Sequence, residues 1–253
     1  VAPGYVAVAN GVVACLLQGV NGPEVWFQSG TAGPVTPIYL TGADAGNISG
    51  LALNATGTAV YFNNTLSNGS GTTSVYTCNL ASNYTCRSVG AYISTSPGGL
   101  LVSGNSVIVA EGQNGVVGAL SLNDGSWSAV AQGQGTVDVL TADATNVYWV
   151  SGSFSLSRAP LANLAAGPQL VLPNVTGQAL GLASDGTNLY VGGVLQNAGS
   201  ASGGWIGSVP VGGAPAPTTV ASLGSNIVYA LTVASRTLFW SDLGDGYIMG
   251  LRL

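Results

Sequence analysis

The stretch VLTADATNVYWVS, from Val139 to Ser151, is a short apolar run, a polar turn and a second run ending in aromatic residues. The same frame recurs as GLALNATGTAVYFNN from Gly50, GLASDGTNLYVGG from Gly181 and ALTVASRTLFWSD from Ala230. Two looser copies, YVAVANGVVACLL from Tyr5 and GLLVSGNSVIVAEG from Gly99, fit it too. Each copy reads as two strands joined by a turn, and Asn10-Gly11 and Gly104-Asn105 are dipeptides that favour tight hairpins. A third strand follows in most copies, as in SVYTCNLA from Ser74, GGWIGSVPVGG from Gly203 and GYIMGLRL from Gly246. A fourth follows in PQLVLPNVT from Pro168 and APTTVASLG from Ala216.

The first strands recur about every 45 residues, the period of four-stranded propeller blades. Amphipathic helical periodicity is nearly absent, and Gly, Pro, Asn or Ser interrupts most long stretches. The expected fold is therefore all-β: a six-bladed β-propeller forming one domain over residues 1–253. Its blades fall at approximately 4–46, 47–97, 98–134, 135–177, 178–224 and 225–253. A β-sandwich pair or a β-solenoid is the alternative. The last repeat supplies only three strands before Leu253, and only Val1-Ala2-Pro3 precedes the first strand. Pro3 cannot donate a ladder hydrogen bond, so blade six is closed by a very short strand or keeps an open edge.

VYWVS at Val147 and LFWSD at Leu238 resemble the Tyr-Trp-Thr-Asp strand of YWTD and NHL-like six-bladed propellers, as found in secreted or surface-attached proteins. The resemblance spans nearly the whole chain and implies fold more than function. Asp242 keeps the acidic residue of that motif, and Asn64, Glu111, Ser151 and Gly193 stand at the nearest equivalent places.

Composition excludes much chemistry. Of 253 residues 47% are hydrophobic but only 5% charged, where an average soluble domain carries roughly a quarter. Histidine and lysine are absent, which removes imidazole bases, histidine metal ligands and lysine Schiff bases. Four arginines on a chain of net charge −5 make nucleic acid an unexpected partner. No apolar run reaches the roughly 18 residues of a transmembrane helix. Starting at Val1, with no basic leader, the chain reads as a mature, processed product.

Paired carboxylates are the remaining catalytic option, and glycoside hydrolysis would need two or three acids converging on the propeller axis. The column expected there is Tyr5, Gly50, Gly99, Asp138, Gly181 and Ala230, so Asp138 stands alone. It is the one candidate channel ligand, since an oxygen site for Ca²⁺ usually gathers several carboxylates. Asp143 and Asp185 fall in first turns, where a carboxylate caps backbone N–H groups. Asp242 and Asp245 flank Gly244 in another turn, and LGDGYIMG from Leu243 only superficially resembles a phosphate loop. No catalytic set, metal site or cofactor is expected.

Cys78 and Cys86 flank an expected turn between the third and fourth strands of blade two, so a hairpin disulfide and an oxidising compartment follow. Cys15, in VVACLL, reads as a buried thiol, with an intermolecular bridge as the alternative. Six N-x-S/T sequons, at Asn47, Asn54, Asn63, Asn68, Asn83 and Asn174, are glycan acceptor candidates. Trp149, Trp240, Phe62 and Tyr148 are expected between blades. Trp26, Trp127 and Trp205 lie nearer the rim, where packing competes with a role as sugar platforms.

These features point to a non-catalytic, extracellular, glycosylated structural protein at the cell surface. Its expected partners are copies of itself, joined through the open edge of the last blade into an oligomer or fibre. The alternative is a lectin-like or protein-binding secreted propeller, and a carboxylate-dependent hydrolase or lyase stands third.

Overall fold

A computed structural model describes residues 5–19, 22–30, 33–39, 47–65, 71–81, 84–94, 96–137, 139–152, 154–175, 177–197, 200–214, 216–224, 226–242 and 247–253. The chain is an all-β, six-bladed propeller built from antiparallel sheets in which consecutive strands pair. Its contacts gather into two compact units, Val1–Ala129 and Val130–Leu253.

The first unit holds blade one, with β1 (Tyr5–Ala9), β2 (Val12–Gly19), β3 (Gly22–Ser29) and β4 (Val35–Tyr39). Blade two has β5 (Asn47–Leu53), β6 (Ala59–Thr65), β7 (Thr72–Asn79) and β8 (Cys86–Ile93). Blade three has β9 (Leu100–Ser103), β10 (Ser106–Ala110), β11 (Val117–Ser121) and β12 (Trp127–Ala131), whose last residues pass the boundary between units. In the second unit, blade four has β13 (Leu140–Ala142), β14 (Asn146–Val150), β15 (Leu156–Pro160) and β16 (Gln169–Leu172). Blade five has β17 (Gln178–Ser184), β18 (Asn188–Asn197), β19 (Ser200–Pro210) and β20 (Thr218–Ser222). Blade six has three strands, β21 (Val228–Ala234), β22 (Thr237–Asp242) and β23 (Tyr247–Arg252). A 3-10 segment, Leu161–Ala166, is the one helical element among the described residues.

Each unit is held by apolar layers between successive blades. In the first, Ala14, Leu16, Val25, Leu51, Val60 and Phe62 join blades one and two. Tyr61, Val75, Leu100, Val107, Val109 and Leu120 join blades two and three. In the second, Tyr148, Leu156, Leu172, Leu189, Val191 and Trp205 lie between blades four and five, and Tyr190, Ile206, Leu238 and Trp240 between five and six. Each such large side chain contributes roughly 1.5–3 kcal/mol on full burial. Trp149, Trp240, Phe62 and Tyr148 are all buried, as their place in second strands requires.

Small residues set how closely the blades stack. A Cβ on Gly192 would lie 2.6 Å from Val228 Cγ1 and 2.9 Å from Leu231 Cδ1, so blade six could not approach blade five as it does. Three of the first strands carry a register shift near their beginning, at Ser49/Leu51, Ala179/Gly181 and Val228/Ala230. In blade two the extra residue is Gly50, whose φ of +64° suits a residue without a side chain.

The first hairpins follow the turn chemistry read from the sequence at Asn10-Gly11, where φ is 46° and 75°. Blade six departs from it. Its turn is Ser235-Arg236, with φ of 47° and 60°, and neither residue type favours that region.

Candidate functional site

In blade four the turn joining β13 to β14 is built on Asp143. Its Oδ1 accepts the backbone N–H groups of Thr145 and Asn146 at 2.6 and 2.8 Å, and its Oδ2 accepts the Tyr148 hydroxyl at 2.6 Å. Blade five repeats the arrangement. Asp185 Oδ1 accepts the N–H groups of Thr187 and Asn188 at 2.8 and 2.6 Å, and Oδ2 accepts the Tyr190 hydroxyl at 2.8 Å. Burial raises both carboxyls, but these donors outweigh it and hold Asp143 and Asp185 below their ordinary range. Burial and the bond to Asp143 push the Tyr148 phenol up to about 12. In blade two, Asn54 performs the same task, accepting the N–H groups of Thr58 and Ala59 at 2.9 and 3.0 Å.

The turns of blades four, five and six line an open polar concavity of about 780 Å³ in the second unit. Asp143, Asp185, Asn188, Tyr190, Arg236 and Leu253 are among its walls. Each carboxylate takes its turn donors on one oxygen and the phenol on the other, an arrangement that holds the turn to the second strand. Arg236 supplies the cation here, and its carbonyl accepts the Leu253 N–H at 2.8 Å.

The first unit buries polar groups instead. At the ends of second strands, Asn64 and Glu111 are buried at the places equivalent to Asp242, and Ser151 is their buried counterpart in the second unit. Burial raises the Glu111 carboxyl, and the Asn114 amide, donating at 3.2 Å, offsets part of the rise. Tyr92, stacked on Trp127 at 4.8 Å, is driven up by burial and then by the Glu111 charge. Opposite Ser49 in the ladder, Asn63 is fully buried, and both polar atoms of its amide lack a partner among the described residues.

Among the sequon asparagines, Asn63 is 0% exposed within β6. Asn54 is half-buried with its Nδ2 donating to Thr58 Oγ1 at 3.0 Å. Asn174 is exposed in the turn after β16. Asn68, Asn83, Asp138, Asp245 and the Asn47 side chain lie outside the described residues, as do Val1 to Pro3.

Cys78 and Cys86 form a disulfide joining β7 to β8. Between them Tyr84, at φ 51°, sets its ring 5.4 Å from Phe27 of blade one. Cys15 is partly buried, and burial pushes its thiol up. Of the rim tryptophans, Trp205 and Trp127 are packed against neighbouring residues and Trp26 is half-buried. Trp205 is 4% exposed in a core layer, Trp127 fills the space beside Gly118, and Trp26 donates to Glu24 at 2.6 Å. β19 packs on both faces, Trp205 with residues of blade four and Ile206 with residues of blade six, which is why Trp205 offers no platform. Among the described residues no three acids or cysteines gather as a metal site, and no helix is long and apolar enough to cross a membrane.

The edge of blade six is a separate feature. All six residues of β23 are exposed, with Tyr247 at 66% and Ile248 at 74%, and it pairs only with β22 among the described residues. The third strands β11 and β15 are mostly buried, and β7 alternates between buried and partly buried residues along most of its length.

No protein-family model and no curated protein sequence matches the chain. Solved structures do. A nidogen/laminin complex aligns with a TM-score of 0.68 at 13% identity, over 98% of this chain and 88% of that one. A streptogramin B lyase aligns with a TM-score of 0.68 at 14% identity, over 99% and 83%. The propeller domain of the trilobed protease from Pyrococcus furiosus, described as having an open velcro topology, aligns at 0.62 with 8% identity, over 97% and 80%. What they share with this chain is the propeller fold. At such identities the likeness extends to neither ligand nor reaction.

Proposed function

We propose that this protein is a non-catalytic, extracellular building block that assembles with copies of itself by accepting a strand at blade six. The observation that carries the reading is β23. Its sequence, YIMGLR, has the apolar content of a covered third strand, and on its outer side no strand among the described residues pairs with it. It lacks the lysines and prolines that protect natural edges, and Arg252 at its end is its only charge. The five other blades each contain a fourth strand, and one extended segment from a second copy would complete the sixth by β-augmentation. An edge that receives and a segment that is donated make a heterologous contact, and such contacts extend into filaments unless the rotation closes a ring. Low charge weakens repulsion between copies, and the disulfide fits an oxidising compartment.

Electron microscopy and light scattering of the native protein test this. Filaments or large oligomers are expected, and Ile248→Lys or Met249→Pro should release folded monomers with an unchanged far-ultraviolet spectrum. A protein that stays monomeric at every concentration would sink the reading.

A second reading, a lectin-like or protein-binding module, draws on the concavity beside Arg236. Binding of an acidic saccharide, lost in Arg236→Ala, would favour it.

A further inference from the structure

We propose that Asn174 carries an N-linked glycan, and that the first sugar lies against the exposed Phe154. The sequon Asn174-Val175-Thr176 follows β16 in the sequence. Asn174 is exposed, and no described residue engages its amide. The two other sequon asparagines whose side chains are described are spent or buried: Asn54 holds its own turn together, and Asn63 is 0% exposed.

The second observation is the apolar surface beside it. The Val175 N–H donates to the Phe154 carbonyl at 2.5 Å, which brings Phe154 next to the residue that follows Asn174. Phe154 is held at φ 61° with 37% of its surface exposed, and Leu170 on β16 is 63% exposed. The backbone contact joins the exposed Phe154 to the residue after Asn174, and an exposed aromatic ring is a surface on which the apolar face of a pyranose can stack. A glycan there would shield both side chains and add solubility that 5% charged residues do not supply.

The reaction needs a lipid-linked oligosaccharide as donor. The Asn174 Nδ2 attacks the anomeric carbon, the new N–C bond forms as the bond from that carbon to the diphosphate oxygen breaks, and the polyprenyl diphosphate leaves with the electron pair. The amide gives up one proton to a base of the transferase. No electrons are exchanged with an oxidant.

Mass spectrometry of the protein from the cells that produce it tests the site. Trypsin is a poor choice, since Arg158 and Arg236 bracket a very long peptide, and chymotrypsin serves better. The peptide holding Asn174 is expected to carry hexose-based mass in most molecules and the one holding Asn63 none. Produced in the same cells, Asn174→Gln and Thr176→Ala should both lose that mass while Thr176→Ser keeps it, each variant remaining folded by circular dichroism. An unmodified Asn174, or sugar mass that persists in Thr176→Ala, would overturn the proposal.

Discussion

The Tyr148 hydroxyl donates to Asp143 Oδ2 at 2.6 Å, which ties the second strand of blade four to the turn that precedes it. Blade five repeats the pair as Tyr190 and Asp185, and blade six replaces both members together, with Phe239 and Ala234 at the matching places. The phenol and the acid therefore act as a unit. Removing the phenol alone leaves a carboxylate short of one donor, and removing the acid strands a buried hydroxyl. Tyr148→Phe is expected to cost about 1–2 kcal/mol and Asp143→Ala somewhat more, since turn N–H groups are also lost. The double variant Asp143→Ala/Tyr148→Phe should cost less than the sum. Thermal unfolding of the four proteins measures the coupling, and strict additivity would deny it.

The same pairs set an acid limit. Asp143 and Asp185 are held below their ordinary value of 3.8, so the folded chain releases these protons more readily than the unfolded one. Their stabilising effect is present above pH 3.8 and is lost as pH falls through the lower folded values. Asp143→Asn/Asp185→Asn should be less stable than the parent at neutral pH, and the gap should close in strong acid. Unfolding midpoints followed from pH 7 to pH 2 report it.

How much of this could be read from residues alone differs by feature. The blades were legible because hydrophobic runs and turn residues recur with one period, and DATNVY and DGTNLY carry their turn chemistry in the sequence. The three strands of the sixth blade were legible by counting. The burial of Asn63 was not, because an Asn-Asn-Thr triplet looks like an exposed turn until β6 places it opposite Ser49. Nor was the Ser235-Arg236 turn, since only the strand register of blade six forces those residues to positive φ. Trp205 was ambiguous for a related reason: alternation shows that a side chain faces a sheet surface, and stacking of the next blade decides whether that surface is wet.

Glu111 behaves oppositely to the turn acids. Burial raises its carboxyl above the ordinary 4.5, so the folded chain holds this proton more tightly than the unfolded one. Its destabilising effect appears as pH rises from 4.5 through the folded value and is complete above it. Glu111→Gln keeps an acceptor for the Asn114 amide without the charge. It should raise the melting temperature at pH 7 and have little effect below pH 4.5. A melting temperature lowered equally at both pH values would contradict this.

Asn63 offers a stabilising substitution. Its amide is fully buried with neither polar atom partnered among the described residues, and a buried unsatisfied group costs about 1–3 kcal/mol. Asn63→Leu replaces it with an apolar side chain of similar length facing Leu100 and Gly50. The variant should be as stable as the parent or more so by about 1–2 kcal/mol. A loss beyond 2 kcal/mol in chemical unfolding would mean that ordered water satisfies the amide.

Reducing the Cys78–Cys86 disulfide frees a loop of sequence separation 8. Chain entropy for so short a loop is worth roughly 2–3 kcal/mol, and the loop also positions Tyr84 against Phe27 of blade one. The released loop should therefore loosen the junction of blades one and two before the rest of the chain. Hydrogen exchange under reducing conditions is expected to accelerate in β7, β8 and β3 while β18 and β19, in the other unit, keep their protection. Cys78→Ser/Cys86→Ser should reproduce the pattern without reductant. Cys15 cannot account for it, since it is already a free thiol in the oxidised chain. Acceleration spread evenly over both units would show that the staple acts on global stability instead of on this junction.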